Sequence, residues 1–156
     1  MHTISIRHNF ETAHRLSSPN APTKCQSIHG HSWWVELTIE GSQLDDNGML
    51  IEFGALKRAW RHFLDQHLDH HLAVRQGDPV VAALREVMPD MRILELPFDP
   101  TTEALAHWLY QRAAAMVHDL NPSLRVQRIH IQETAVNAAS YAPPAASVSR
   151  GEAPLT

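Results

Sequence analysis

Period-two alternation in strand-length stretches, two long segments with apolar residues at helical spacing, and Asp-, Asn- and Pro-rich breaks between them predict an α+β fold. In such a fold the strands pair as an antiparallel sheet and the helices pack on one of its faces.

The first strand covers His2–Phe10, with Ile4, Ile6 and His8 on one face and Thr3, Ser5 and Arg7 on the other. Ser17–Lys24, with Pro19, Asn20 and Pro22, reads as a loop. Alternation resumes over His31–Glu40, where Trp33, Val35, Leu37 and Ile39 oppose Trp34, Glu36, Thr38 and Glu40. Gly41–Gly48 is a turn. Phe53, Leu56, Trp60, Phe63 and Leu64 then recur at helical spacing and predict an amphipathic helix over about residues 53–67. Asp78-Pro79 opens a short helix to Val87: the carboxylate caps it, and proline's missing N–H costs nothing in a first turn. Met91–Leu96 is a candidate strand. Asp99-Pro100-Thr101-Thr102-Glu103 starts a second long helix, which Leu105, Trp108, Leu109, Met116 and Val117 carry to about Leu120. Arg125–Thr134 alternates again and is the last strand. From Ala142 onward Ala, Pro and Ser leave little to bury, so one domain over 1–141 and a disordered tail over 142–156 are expected.

Composition narrows the function. A chain of 156 residues, 44% hydrophobic and 19% charged, is large enough for one well-packed core. Its net charge of -4 gives no basic surface for nucleic acid or anionic membrane. The N-terminus has no long apolar run, so neither a signal peptide nor a membrane span is expected. A single cysteine cannot form an internal disulfide, which fits a reducing compartment such as the cytoplasm. The outlier is histidine, with 12 residues.

Three of these histidines carry the chemistry. His29 and His31 are two apart, so on a strand both rings point to the same side. His14, at the end of the preceding strand, can complete a set of three imidazoles. Three imidazoles suit a zinc ion that keeps a fourth position for water or substrate, as in catalytic sites. Cys25, beside such a cluster, would lie near the metal as a thiolate. Together, a thiolate and a Lewis acid suit proton transfer next to a carbonyl. Leu68-Asp69-His70-His71-Leu72 follows the first long helix and has two readings. It is either a solvated helix end whose histidines favour the negative dipole, or a carboxylate and imidazole that exchange protons with a thiol. His67 and His70, three apart, are a weaker metal pair. Glu133 is either a solvated strand end or, turned inward, a carboxylate that accepts two parallel N–H bonds. Glu103 needs no role beyond its own helix.

These residues resemble the 6-pyruvoyl-tetrahydropterin synthase superfamily, and within it the bacterial 6-carboxy-tetrahydropterin synthases of the queuosine pathway. The matching pieces are Phe10–Leu16, Cys25–Ser32, Gly48–Lys57, Leu68–His71, Pro100–Glu103 and Gln132–Thr134, in the family's order. The resemblance implies a tunnelling (T-fold) subunit with a four-stranded antiparallel sheet and two long helices on one face. It also implies homohexamers built by edge-to-edge pairing, with active sites between subunits. His14, His29 and His31 then look like the zinc ligands, Cys25 like the proton acceptor, Asp69 with His70 like its relay, and Glu133 like the pterin anchor. The implied reaction converts 7,8-dihydroneopterin triphosphate to 6-carboxy-5,6,7,8-tetrahydropterin with loss of triphosphate and acetaldehyde. The pyruvoyl branch stops before the side chain is cleaved.

The chain departs from the pattern in places. Glu52 stands where the family's Asp is expected, the 73–98 segment is long, and no cysteine follows Glu133 in Ala135–Tyr141. Cys25 itself argues against the subgroup that carries Glu there. A non-catalytic pterin- or purine-binding module with a structural zinc fits less well, because structural zinc sites are closed by four protein ligands.

Overall fold

The computed structural model describes residues 1–144. The tail expected over 142–156 therefore falls mostly outside the described residues. Chain order is β1 (His2–His14), α1 (Thr23–Gln26), β2 (His29–Gly41), α2 (Phe53–His67), β3 (His71–Arg75), α3 (Pro79–Val87), β4 (Ile93–Leu96), α4 (Thr102–Leu120), β5 (Arg125–Gln132) and β6 (Ala138–Tyr141). Among the described residues no helix is long and apolar enough to cross a membrane.

The sheet has six strands in the order β4-β3-β1-β2-β5-β6, which corrects the expected four-stranded antiparallel sheet. Antiparallel pairing does hold through β1-β2-β5-β6. β4 lies within the candidate strand Met91–Leu96; what the sequence did not announce is β3 and the parallel pairing of β3 with β1 and of β4 with β3. β3 is buried at Leu72, Ala73 and Val74 in succession, as a strand covered on both faces must be, so it shows no alternation to read. β6, Ala138–Tyr141, is too short to show a period. Leu72 and Val74 form a small second core with Val81 of α3.

The main core lies between the sheet and the two long helices. Phe10, Trp33, Val35, Leu37, Ile129 and Ile131 face it from the strands. Leu56, Trp60 and Leu64 of α2 and Leu105, Leu109 and Val117 of α4 cover them. The opposite sheet face is polar and paired across strands. Ser5 bonds Thr38, and Arg128 and Arg125 meet Glu36 and Glu40. Arg7 lies over the Trp34 ring and donates to Gln132.

Two strands run further than the sequence suggests, and both extensions matter for the site. β1 continues past Phe10 to His14, with Thr12 and His14 buried like Phe10 before them. β2 begins at His29 rather than His31. The outer edge of β1 is closed only near this end. The Glu11 N–H donates to Asp69 Oδ1 at 2.9 Å, the Glu11 carbonyl accepts from the His70 N–H at 2.7 Å, and β3 pairs with Thr12–His14. Residues 2–8 of β1 have no strand on that side among the described residues, and neither has the outer edge of β6.

Leu64 is fully buried at the centre of the helix–sheet interface. Leu64→Ala is expected to lower unfolding free energy by about 2–5 kcal/mol, the usual range for a truncated buried leucine. Chemical denaturation checks this; a loss below about 1 kcal/mol would contradict the packing described.

Candidate metal centre and its cavity

The antiparallel register of β1 and β2 sets His14 opposite His29 and Thr12 opposite His31. Alternation then turns all three histidine rings to the same side of the sheet end. Ring centroids are 4.5 Å apart for His14–His29, 5.2 Å for His14–His31 and 5.1 Å for His29–His31. One nitrogen from each lies within 4.8 Å of the others, and among the described residues this is the group that fits a metal ion. The edge of Trp33 supports the cluster. Its ring packs against His14 and His31 at 5.1 and 5.4 Å, and its indole N–H donates to the Thr12 carbonyl.

Hydrogen bonds fix two of the rings. His14 Nδ1 lies 2.8 Å from the Pro100 carbonyl, and His29 Nδ1 lies 2.7 Å from the Ser27 carbonyl. A carbonyl only accepts, so in both rings Nδ1 holds the proton and the Nε2 lone pair is free. His14 Nε2 and His31 Nε2 are buried without a hydrogen-bond partner. Unpartnered buried nitrogens beside one another are costly unless something binds them. The donor set therefore fits a zinc ion.

Burial sets the protonation state. Both His14 and His31 have lowered pKa values, with desolvation as the largest cause. The Pro100 carbonyl and Glu133 oppose the shift at His14, and Glu133 opposes it at His31. The neutral, ligand-competent form of each ring is thus the one this environment favours. Glu133 Oε1 stands 3.7 Å from His14 Nε2 and 3.9 Å from His31 Nε2 and accepts from Thr102 Oγ1 at 3.0 Å.

The cluster opens into a cavity of about 500 Å³. Cys25 of α1, a free thiol, lines it together with Glu133 and Glu103. Glu103 thus borders the site as well as standing in the first turn of its helix. The cap of that helix is Thr101, whose hydroxyl accepts from the Ala104 N–H. β5 pairs with β2 only from Trp34 onward, which leaves the His29–Trp33 end flanked by β1 alone and gives the cavity its room.

Asp69 and His70 are not brought to Cys25 within one chain, contrary to the simplest form of the expected relay. His70 lines a neighbouring cavity of about 430 Å³ with Glu11 and Ser32, and of the cluster only His31 borders both cavities. Asp69 Oδ2 lies 3.9 Å from His70 Nε2, so the carboxylate and imidazole do sit side by side. His70 adopts φ 58°, a left-handed conformation uncommon outside glycine, and its side chain is 73% exposed. Among the described residues, the group of three or more side chains that could hold a metal includes neither His67 nor His70, and His67 Nδ1 bonds the Phe63 carbonyl of its own helix.

Sequence reasoning missed the groups that hold the cluster in place, namely Thr102 and the carbonyls of Pro100 and Ser27. Backbone carbonyls leave no mark in a sequence. Thr102 was legible only as part of a helix start.

Comparisons with known proteins bear on the family and the fold. The family model for 6-pyruvoyl tetrahydropterin synthase matches residues 3–144. A 6-carboxy-5,6,7,8-tetrahydropterin synthase of Rickettsia bellii is 32% identical over 100 residues, covering 64% of this chain and 71% of its own. One from Aquifex aeolicus is 28% identical over 156 residues, covering 88% and 96%. Among solved structures, an uncharacterized protein of Wolinella succinogenes superposes with a TM-score of 0.75 at 20% identity, over 90% of this chain and 97% of that one. The 6-pyruvoyl tetrahydropterin synthase of Caenorhabditis elegans gives 0.65 at 22% identity, over 90% and 94%. At these identities the structures speak for the fold.

A histidine whose folded pKa lies below its unfolded value stabilises the fold above the unfolded value. That contribution is lost as pH falls through the folded value. With His14 and His31 both lowered from 6.5, metal-free protein should lose stability as pH falls below 6.5. His14→Gln should flatten the slope of melting temperature against pH; an unchanged slope would contradict the burial of a neutral His14.

Proposed function

The chain belongs to the 6-pyruvoyl tetrahydropterin synthase family, and we propose that it is a zinc-dependent lyase of the 6-carboxy-tetrahydropterin type. Its substrate is 7,8-dihydroneopterin triphosphate. One water is consumed, and 6-carboxy-5,6,7,8-tetrahydropterin, acetaldehyde and triphosphate are formed, a step of queuosine synthesis in the cytoplasm. The observation that carries this reading is the meeting of three imidazoles, a free thiol and Glu133 on one cavity. The names of the curated relatives support the carboxy branch.

His14, His29 and His31 would hold the zinc ion. When bound, zinc supplies Lewis acidity toward the oxygens of the substrate side chain. Cys25 takes the proton that leaves the side-chain carbon, and Glu133 orients the ring by accepting from the 2-amino-4-oxo edge of the pterin. Asp69 orients the His70 imidazole beside it, and His70 returns protons during tautomerisation.

That last role requires a second copy of the chain. His70 sits on its left-handed turn with its side chain 73% exposed, and it lines a different cavity from its own Cys25. The unpaired edges of β1 and β6 are complementary in kind, and pairing them between copies would remove both. A hexamer formed this way supports the composite site, with the thiol from one subunit and the Asp69–His70 pair from its neighbour.

Zinc-loaded protein incubated with 7,8-dihydroneopterin triphosphate should release acetaldehyde in step with triphosphate. Triphosphate without acetaldehyde would place the chain in the pyruvoyl branch. Cys25→Ala should keep zinc and lose turnover by about 100-fold or more; full turnover in that variant would remove Cys25 from the mechanism. Mixing Cys25→Ala with His70→Ala protein, followed by subunit exchange, should restore activity to neither parent's level but above both. Mixed oligomers no more active than the parents would confine the site to one chain.

A further inference from the structure

The long segment between β3 and α4 has no part in the chemistry above, yet the loop that carries two site residues is fastened to it. From the end of β1, His14 bonds the Pro100 carbonyl at 2.8 Å through Nδ1. Arg15 Nη1 donates to Asp78 Oδ1 at 3.0 Å. Asp99 accepts from the Ser17 N–H and hydroxyl, both at 2.7 Å, and from the Ser18 N–H at 3.2 Å. Between these tethers, the Leu16 N–H donates to the Cys25 carbonyl at 2.8 Å. Consecutive residues thus alternate between facing the site and gripping the segment.

The Arg15–Asp78 pair is the unusual tether. The Asp78 side chain is 0% exposed and that of Arg15 21%. Asp78 Oδ1 also caps α3 by accepting from the Val80 N–H, while Asp78 Oδ2 and Arg15 Nε are buried without partners. A buried, incompletely satisfied ion pair is a poor device for stability, because apolar replacements are often as stable or more so. Its direction is better explained by what it holds: Arg15 lies between His14 and the residue that ties to Cys25.

We propose that Arg15 and Asp78 are positioning residues for the candidate metal centre, and that the α3 segment is the anchor against which His14 and Cys25 are set. The inference rests on the three-histidine cluster holding a metal ion. Partners that orient a metal ligand commonly change affinity by about 10–100-fold when removed.

The test is zinc affinity of the full chain, measured by competition with a chromogenic chelator, beside the melting temperature of the zinc-free protein. Arg15→Met should weaken zinc binding by about 10-fold or more. Asp78→Ser should do likewise: serine still caps a helix, but its shorter side chain gives up the bond to Arg15. It is the milder variant and decides the matter if Arg15→Met does not fold. Arg15→Lys should recover most of the affinity, since the contact is a single N–H to oxygen bond. The double variant should be no weaker than the worse single one, because the two act as a unit. Wild-type affinity in Asp78→Ser and in folded Arg15→Met would overturn the proposal and leave the pair a part of the fold alone. A wild-type chain that takes up no zinc would instead overturn the cluster reading, and this inference with it.

Discussion

The ladder between β1 and β2 is the constraint on which the rest depends. It runs without a break from His2 opposite Gly41 to His14 opposite His29. Its central part is held by Ile6, Phe10, Trp33, Val35 and Leu37 buried against the helices. A slip of one residue would turn that whole row to the polar side, so packing fixes the register strongly. The histidines inherit this certainty. They lie at the end of a strand pair whose alignment is decided further along, and no loop rearrangement is needed to bring them together.

Much of this was legible in the sequence, and where it was not the reasons are physical. The helix from 53 to 67 and the alternating centres of β1, β2 and β5 appear as read. The ends of β1 and β2 did not, because Thr12, His14 and His29 look like polar punctuation after an apolar run. They face inward because the imidazoles meet one another there. His29 and His31 two apart gave the geometry directly, while His14 depended on a register that only the folded pair displays. β4 falls within the candidate strand Met91–Leu96, whereas β3 was obscured for a different reason: a parallel strand buried on both faces has no period. Asp69 and His70 were recognised as a pair, but their distance from Cys25 follows from the turn after α2 and could not be read from spacing.

The added β3–α3–β4 unit lies on the side of β1 that carries the site. It pairs only with the last three residues of that strand; Leu72, Val74 and Val81 form a small core of their own, while Ala73 and Leu96 join the main one. Such an attachment leaves most of β1's outer edge untouched. Asp99 and Pro100 sit where the added unit returns to the common scaffold, which is why they reach the β1–α1 loop.

The outward face of the sheet has a consequence of its own. Ser5 with Thr38, Arg128 with Glu36, Arg125 with Glu40, and Arg7 on Trp34 leave it with few apolar atoms to hide. The helices already occupy the other side. A closed ring of such sheets, helices outermost, could not fill its middle with interlocking side chains as a small barrel does. Its bore would stay wet, a hydrated passage threaded through the assembly and lined by charges that neutralise one another.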